Sequence, residues 1–273
     1  MDLKHISRLV VTLSALVALA ALAPATAGAT TSPAPGYGQF AGCPNPAQNP
    51  TIEVCFHTVF TSGQLQVGST AIPIIHPITY SGGYTAANEV DFNASGGMPP
   101  VPQGVPGGII WLTGLSWLAE LYGSAELAVD ADIELAGTPS PPLPETLSLP
   151  IKIHLTNPVL GSNCYIGSNA EPILLDLITG TTSPPPPNSP ITGAEGEISF
   201  TPNEVLDFEN GTYVDNSFAA SEANGCVLTI PGYTPISLDS LINSRIGLPA
   251  AAGLNSAILN FDTELVESPI VYP

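Results

Sequence analysis

Basic side chains are nearly missing from this chain: four Lys and Arg stand against 23 Asp and Glu in 273 residues. Lys4 and Arg8 fall near the start together with Asp2, so Lys152 and Arg245 alone face the other 22 acids. A protein that holds nucleic acid neutralises phosphates with clustered Lys and Arg, and no such cluster exists here. Anionic membrane surfaces repel such a chain for the same reason. Cations, cationic polymers and basic proteins of the cell envelope are the partners this charge permits. Other absences narrow the chemistry. Gly114-Leu115-Ser116-Trp117-Leu118 lacks the closing glycine of a nucleophile elbow. Cysteine and histidine show no metal-finger spacing, and His57, His76 and His154 are scattered. A glycine-rich phosphate cradle and a cofactor fingerprint are both missing. Two Trp, at 111 and 117, offer little as sugar platforms. The expectation is a protein without enzyme activity or cofactor.

What is present begins with an export signal. Lys4 and Arg8 precede an apolar run from Leu9 to Ala23, and Ala25-Thr26-Ala27 or Ala27-Gly28-Ala29 supplies small residues for cleavage. The run falls short of the roughly 20 residues of a membrane span. Residues 1–29 are therefore read as a cleaved signal peptide. Export to an oxidising compartment favours disulfides among Cys43, Cys55, Cys164 and Cys226. Of three connectivities, Cys43–Cys55 and Cys164–Cys226 are preferred, because the first pair is close in sequence and the second brackets one C-terminal unit.

Thirty Pro and 26 Gly interrupt the chain every few residues, which favours short strands and turns over long helices. Residues 30–42 read as an exposed, flexible lead-in, and 43–273 as a β-rich secreted domain. Period-two alternation marks half-buried antiparallel strands at Ile52–Phe56, Leu65–Val67, Ile151–Leu155, Ile198–Phe200 and Ile258–Leu265. Gly68-Ser69 predicts a tight turn. Two short helices at most are expected. One lies in the apolar Gly108–Gly123 segment, which alternatively serves as a cover for the core or a membrane wedge. The other runs over Ser237–Ile246, with Ser237 as N-cap and Gly247 as stop. Pro139–Pro144 and Pro184–Pro187 read as exposed connections, the first being the candidate place, near 139–146, to divide the domain in two.

The most regular segment is Glu126–Leu135. Glu126, Asp130, Asp132 and Glu134 fall on one face, and Leu127, Val129, Ala131, Ile133 and Leu135 on the other. Same-face neighbours in a strand lie about 7 Å apart. Carboxylates at that spacing repel one another and stay ionised cheaply in water or with cations. The four acids are the candidate metal face, with calcium as the ion, although the Ca²⁺-loop motif is absent. A solvated strand face, an acidic groove for a cationic partner and the lumen of a pore are the other readings.

A set of strings resembles a family of secreted actinobacterial proteins with no established activity. They include Cys43-Pro44-Asn45, the run Ser62 to Thr70, Pro106-Gly107-Gly108-Ile109, Pro150 to Leu155, Asn157 to Ser168, Thr179 to Asn188, Val214 to Ala219, Asn224-Gly225-Cys226 and Leu248 to Ala257. The resemblance spans nearly all of the chain after residue 42. It implies an exported bacterial protein and carries over no site residues. The combined expectation is a mainly β, sandwich-like, disulfide-bonded protein, secreted or associated with the cell wall, surface-structural or adhesive in role. An envelope β-barrel or pore protein and a carbohydrate-binding or carbohydrate-active module are the alternatives.

Overall fold

The computed structural model describes residues 32–122, 127–230, 232 and 234–273. The proposed leader and Glu126 lie outside the described residues. The strands are β1 (Ile52–Val67), β2 (Thr70–Pro73), β3 (Ile78–Thr85), β4 (Val90–Asp91), β5 (Pro102–Gly104), β6 (Asp130–Leu135), β7 (Thr146–Thr156), β8 (Tyr165–Ile166), β9 (Ile173–Ile178), β10 (Glu197–Phe200), β11 (Leu206–Asp215), β12 (Ala223–Asn224), β13 (Val227–Leu228), β14 (Ile236–Ser237) and β15 (Ser256–Glu267). Among the described residues a 3-10 turn at Gly38–Gly42 and four short α-helices accompany them: α1 (Gly108–Thr113), α2 (Leu118–Tyr122), α3 (Asp239–Ile246) and α4 (Ser268–Val271). The chain is mainly β, with 42% strand against 12% helix.

One antiparallel sheet runs β12-β8-β7-β9-β11-β15-β1-β3-β4, with β6, β2 and β10 added at its flanks and β5 beyond β6. The sheet is curled, and β9 and β11 pair at one position, Ile178 opposite Val214. The two halves then face each other as in a sandwich. Phe60, Leu65 and Leu259 from one half meet Ile133, Leu149, Ile151 and Leu175 from the other around an apolar void of about 20 Å³. That void has room for about one water and no polar group to hold it.

Both disulfides form as the spacing suggested, Cys43–Cys55 and Cys164–Cys226. The Gly68-Ser69 turn closes the β1–β2 hairpin, with Val67 opposite Thr70 and Gly68 at φ +54°. The helix at 239–246 starts one residue later than expected. Leu238 is its N-cap, and the Ser237 hydroxyl accepts the Asp239 N–H at 3.3 Å.

Three expectations need correction. The apolar segment forms two helices rather than one, because Gly114, at φ +74°, ends α1 in a left-handed cap; α4 was not expected. Residues 34–42 are not an exposed lead-in: Phe40 is fully buried, and the Ala34 N–H donates to the Val271 carbonyl. This stretch packs with Val205, Val266, Val271 and Tyr272 into a second small core around Cys43–Cys55. Pro139–Pro144 does not divide the molecule. The strands on either side of it, β6 and β7, pair directly from Asp130–Thr156 to Leu135–Ile151. Pro139, Pro141 and Pro142 are buried. Tyr80 and Tyr213, from the opposite half, donate to the Ser140 and Leu143 carbonyls at 2.7 and 2.6 Å. Burial raises both phenols far above their ordinary range, so they act only as neutral donors. Pro185–Pro187 is exposed, as read.

Candidate functional site

The β6–β7 register places each described acid of the metal face opposite a specific partner. Asp130 lies across from Thr156, Asp132 from His154 and Glu134 from Lys152. Side chains directly opposite in an antiparallel pair share a face, and all six are partly exposed on the outer side of the sheet. Glu134 takes both neighbours: its oxygens lie 3.3 Å from Lys152 Nζ and 3.5 Å from His154 Nδ1. His154 Nε2 donates to the Ser162 carbonyl at 3.1 Å, since a carbonyl only accepts. On β8, Tyr165 stacks on the His154 ring with centroids 4.2 Å apart, and Lys152 Nζ lies 5.0 Å from the Tyr165 ring centre. The Cys164–Cys226 bond holds β8 in place beside this ladder.

Of these carboxylates Glu134 is paired with Lys152 and His154, and together they form a line rather than a converging donor set. Among the described residues no three His, Cys, Asp or Glu side chains gather as they must to hold a metal ion. A flat strand spreads its donors along a line, and Glu134 is already paired. Asp132 keeps one enclosed oxygen without a hydrogen-bond donor. Burial pushes its carboxyl up, His154 pulls it down, and Glu134 and Asp130 push it up again.

Two open grooves flank the ladder. One, of about 730 Å³, runs past Asp130, His154, Thr156, Gly161 and Ser162. The other, of about 540 Å³, is lined by Lys152, Tyr165 and a series of small polar groups that includes Asn163, Ser168, Asn169 and Asn224. Such a surface offers amides and hydroxyls, and Glu171 and Glu222 join Lys152 in the second groove.

The pore arrangement needs the opposite orientation. Leu127, Val129 and Ile133, which a barrel would turn to lipid, are 5%, 1% and 6% exposed inside the core. Among the described residues no helix is long and apolar enough to cross a membrane. Trp111 on α1, Trp117 just before α2 and Leu121 on α2 are exposed apolar side chains. Arg245 lies over the Trp111 ring at 4.5 Å and donates to its carbonyl.

A second acidic face has no local signature in the sequence, because its acids come from three strands, β10, β11 and β15. Glu197 lies opposite Glu209, and Asp207 opposite Glu264. Asp262 lies two residues from Glu264 on the same face. His57 is the one base among them, with Nδ1 3.5 Å from Glu264. Burial, then Glu209, Glu264 and Asp262, push the Asp207 carboxyl up, against a lowering bond from the Phe208 N–H. A carboxyl raised on folding binds more protons in the native than in the unfolded chain, so stability falls as pH rises through that interval. Asp132 and Asp215 are raised in the same sense. The protein is thus expected to melt higher at about pH 5 than at pH 7, with unfolded carboxylates titrating near 4. Asp207→Asn is expected to raise the pH 7 melting temperature by roughly 2 °C and to flatten the pH dependence. A lower melting temperature for this variant would show that the crowding costs nothing.

No protein-family model, curated protein or solved structure matches the chain.

Proposed function

We propose that this is an exported, non-enzymatic protein of the cell surface or medium that works by adhesion, through the β7–β8 face. The observation that carries this reading is the Glu134–Lys152–His154–Tyr165 ladder with a polar groove on each side. Its side chains are fixed by one another, which lowers the entropy cost of binding. Lys152 is tied to Glu134 and so does not select an anion, and the amides and hydroxyls beside it suit a hydrogen-bonding ligand without negative charge. The disulfides support a life outside the cytoplasm. A glycan of the envelope fits this chemistry best, since the 540 Å³ groove presents amides and hydroxyls beside an aromatic ring.

The test is retention of the disulfide-bonded protein on isolated cell-wall material and on a glycan array. Asn169 is exposed on the groove wall, so Asn169→Arg fills the groove without touching the core. Retention is expected to drop by at least about tenfold, with no sugar released by either protein. Equal retention of the two proteins, or steady release of product, would sink the reading.

A further inference from the structure

Strand β10 was expected to be half buried, yet all four of its residues are exposed. Its register explains what is unusual. Ile198 lies opposite Phe208 and Phe200 opposite Leu206, so both point to the side of the sheet on which the core lies. Phe208 is 4% exposed, whereas Ile198 and Phe200 are 60% and 68% exposed. The apolar floor of the sandwich thus continues past the half of the sheet that covers it. Phe200 and Leu206, with Val54, Tyr84 and Leu265 from the ends of neighbouring strands, line an open cleft of about 350 Å³. Among the described residues β10 pairs only with β11, which leaves its other edge available.

An exposed edge strand invites another strand, and charge selects which one. Glu204 and Glu267 line the cleft. Glu197, Glu209 and Asp207 occupy the opposite side of the β10–β11 hairpin. Both described Lys and Arg side chains are engaged elsewhere, Lys152 on Glu134 and Arg245 on Trp111. A second copy docked here would set acids against acids.

We propose that the β10 edge takes an extended segment of a basic partner protein in which cationic and apolar residues alternate. Added as a strand, such a segment sets its apolar side chains against Ile198 and Phe200. Its Lys or Arg residues then fall on the other face, beside Glu197 and the β11 acids. The surface lies apart from the β7–β8 grooves, so the proposal stands independently of the adhesive reading.

The probes are three synthetic peptides of about eight residues, long enough to overlap a short strand. One alternates Lys and Val, one has the same composition as a Lys block followed by a Val block, and one alternates Glu and Val. Binding to the disulfide-bonded protein is read by fluorescence anisotropy at two salt concentrations. The alternating basic peptide is expected to bind at least about tenfold more tightly than either control, and more weakly at high salt. The double variant I198N/F200N removes two exposed apolar side chains. It is expected to lose about tenfold in affinity with its melting temperature unchanged, whereas Asn169→Arg binds the peptide normally. Equal binding of the block peptide would reduce the effect to bulk charge and overturn the proposal. So would equal binding by I198N/F200N, or a wild-type dimer in sedimentation that I198N/F200N abolishes.

Discussion

Replacing Cys164 and Cys226 together by serine is expected to lower stability by about 4 kcal/mol, the loop-closure entropy of a cross-link across 62 residues. That corresponds to a fall in melting temperature of roughly 10 °C for a chain of this size. The Cys43–Cys55 bond spans 12 residues and is worth about 3 kcal/mol on the same basis. The longer bridge also has a local role. It joins β8 to the start of the 226–239 region, and β8 and β12 are only two residues long each. Two-residue strands have little to hold them in register. The Leu155 N–H donates to the Cys164 carbonyl, and the Cys226 N–H to Asp239. Losing the bridge therefore frees Tyr165 from His154 as well as lengthening the unfolded chain. Urea unfolding of the double variant, with wall retention measured alongside, checks both consequences. A loss below about 1 kcal/mol would mean that the unfolded chain is already compact enough to make the cross-link redundant.

The second large effect is expected at a single polar residue. Asn255 is 1% exposed and joins three loops at one end of the sandwich. Its Oδ1 accepts the Gly68 N–H at 2.8 Å, and its Nδ2 donates to the Phe218 and Ala251 carbonyls at 2.9 and 3.1 Å. Alanine there strands one donor and two acceptors away from these partners. Each buried group so orphaned costs about 1–3 kcal/mol, so Asn255→Ala is expected to lose about 3 kcal/mol or more. The denaturation midpoint should fall with an unchanged slope. A loss under about 1 kcal/mol would show that water replaces the side chain.

Local features of this fold were readable in the sequence, and pairings between distant segments were not. Alternation found β1, β7 and β15, Gly68-Ser69 found a hairpin, and the cysteine spacing led to the right bridges. The acids of β6 were also placed correctly on one face. The pairing of Glu134 was invisible, because it depends on register: Glu134 meets Lys152 only if Leu135 pairs with Ile151. The same limit hid the acids of β10, β11 and β15, which share a face only after those strands align. Burial of Phe40 and of Pro139–Pro142 was missed for a related reason. Composition marks a stretch as loop-like, but contact with Val271 or with the Tyr80 hydroxyl is decided elsewhere in the chain. Asn255 carried no signal, since a single asparagine in a turn-rich segment looks like any other.

The central ladder joins segments far apart in sequence: among the described residues β1, the first strand, pairs along Val54–Gln66 with β15, the last. Pairings separated by some two hundred residues make for slow folding, because a large loop must close before they contribute. A polypeptide that emerges N-terminus first, from a ribosome or through a translocation channel, therefore cannot complete this sheet until β15 has appeared. During that interval β1 has β2 and β3 on one edge and nothing on the other. Unpaired strand edges of this kind aggregate. The surplus of carboxylates then has a kinetic meaning: mutual repulsion between incomplete chains protects them until β15 arrives.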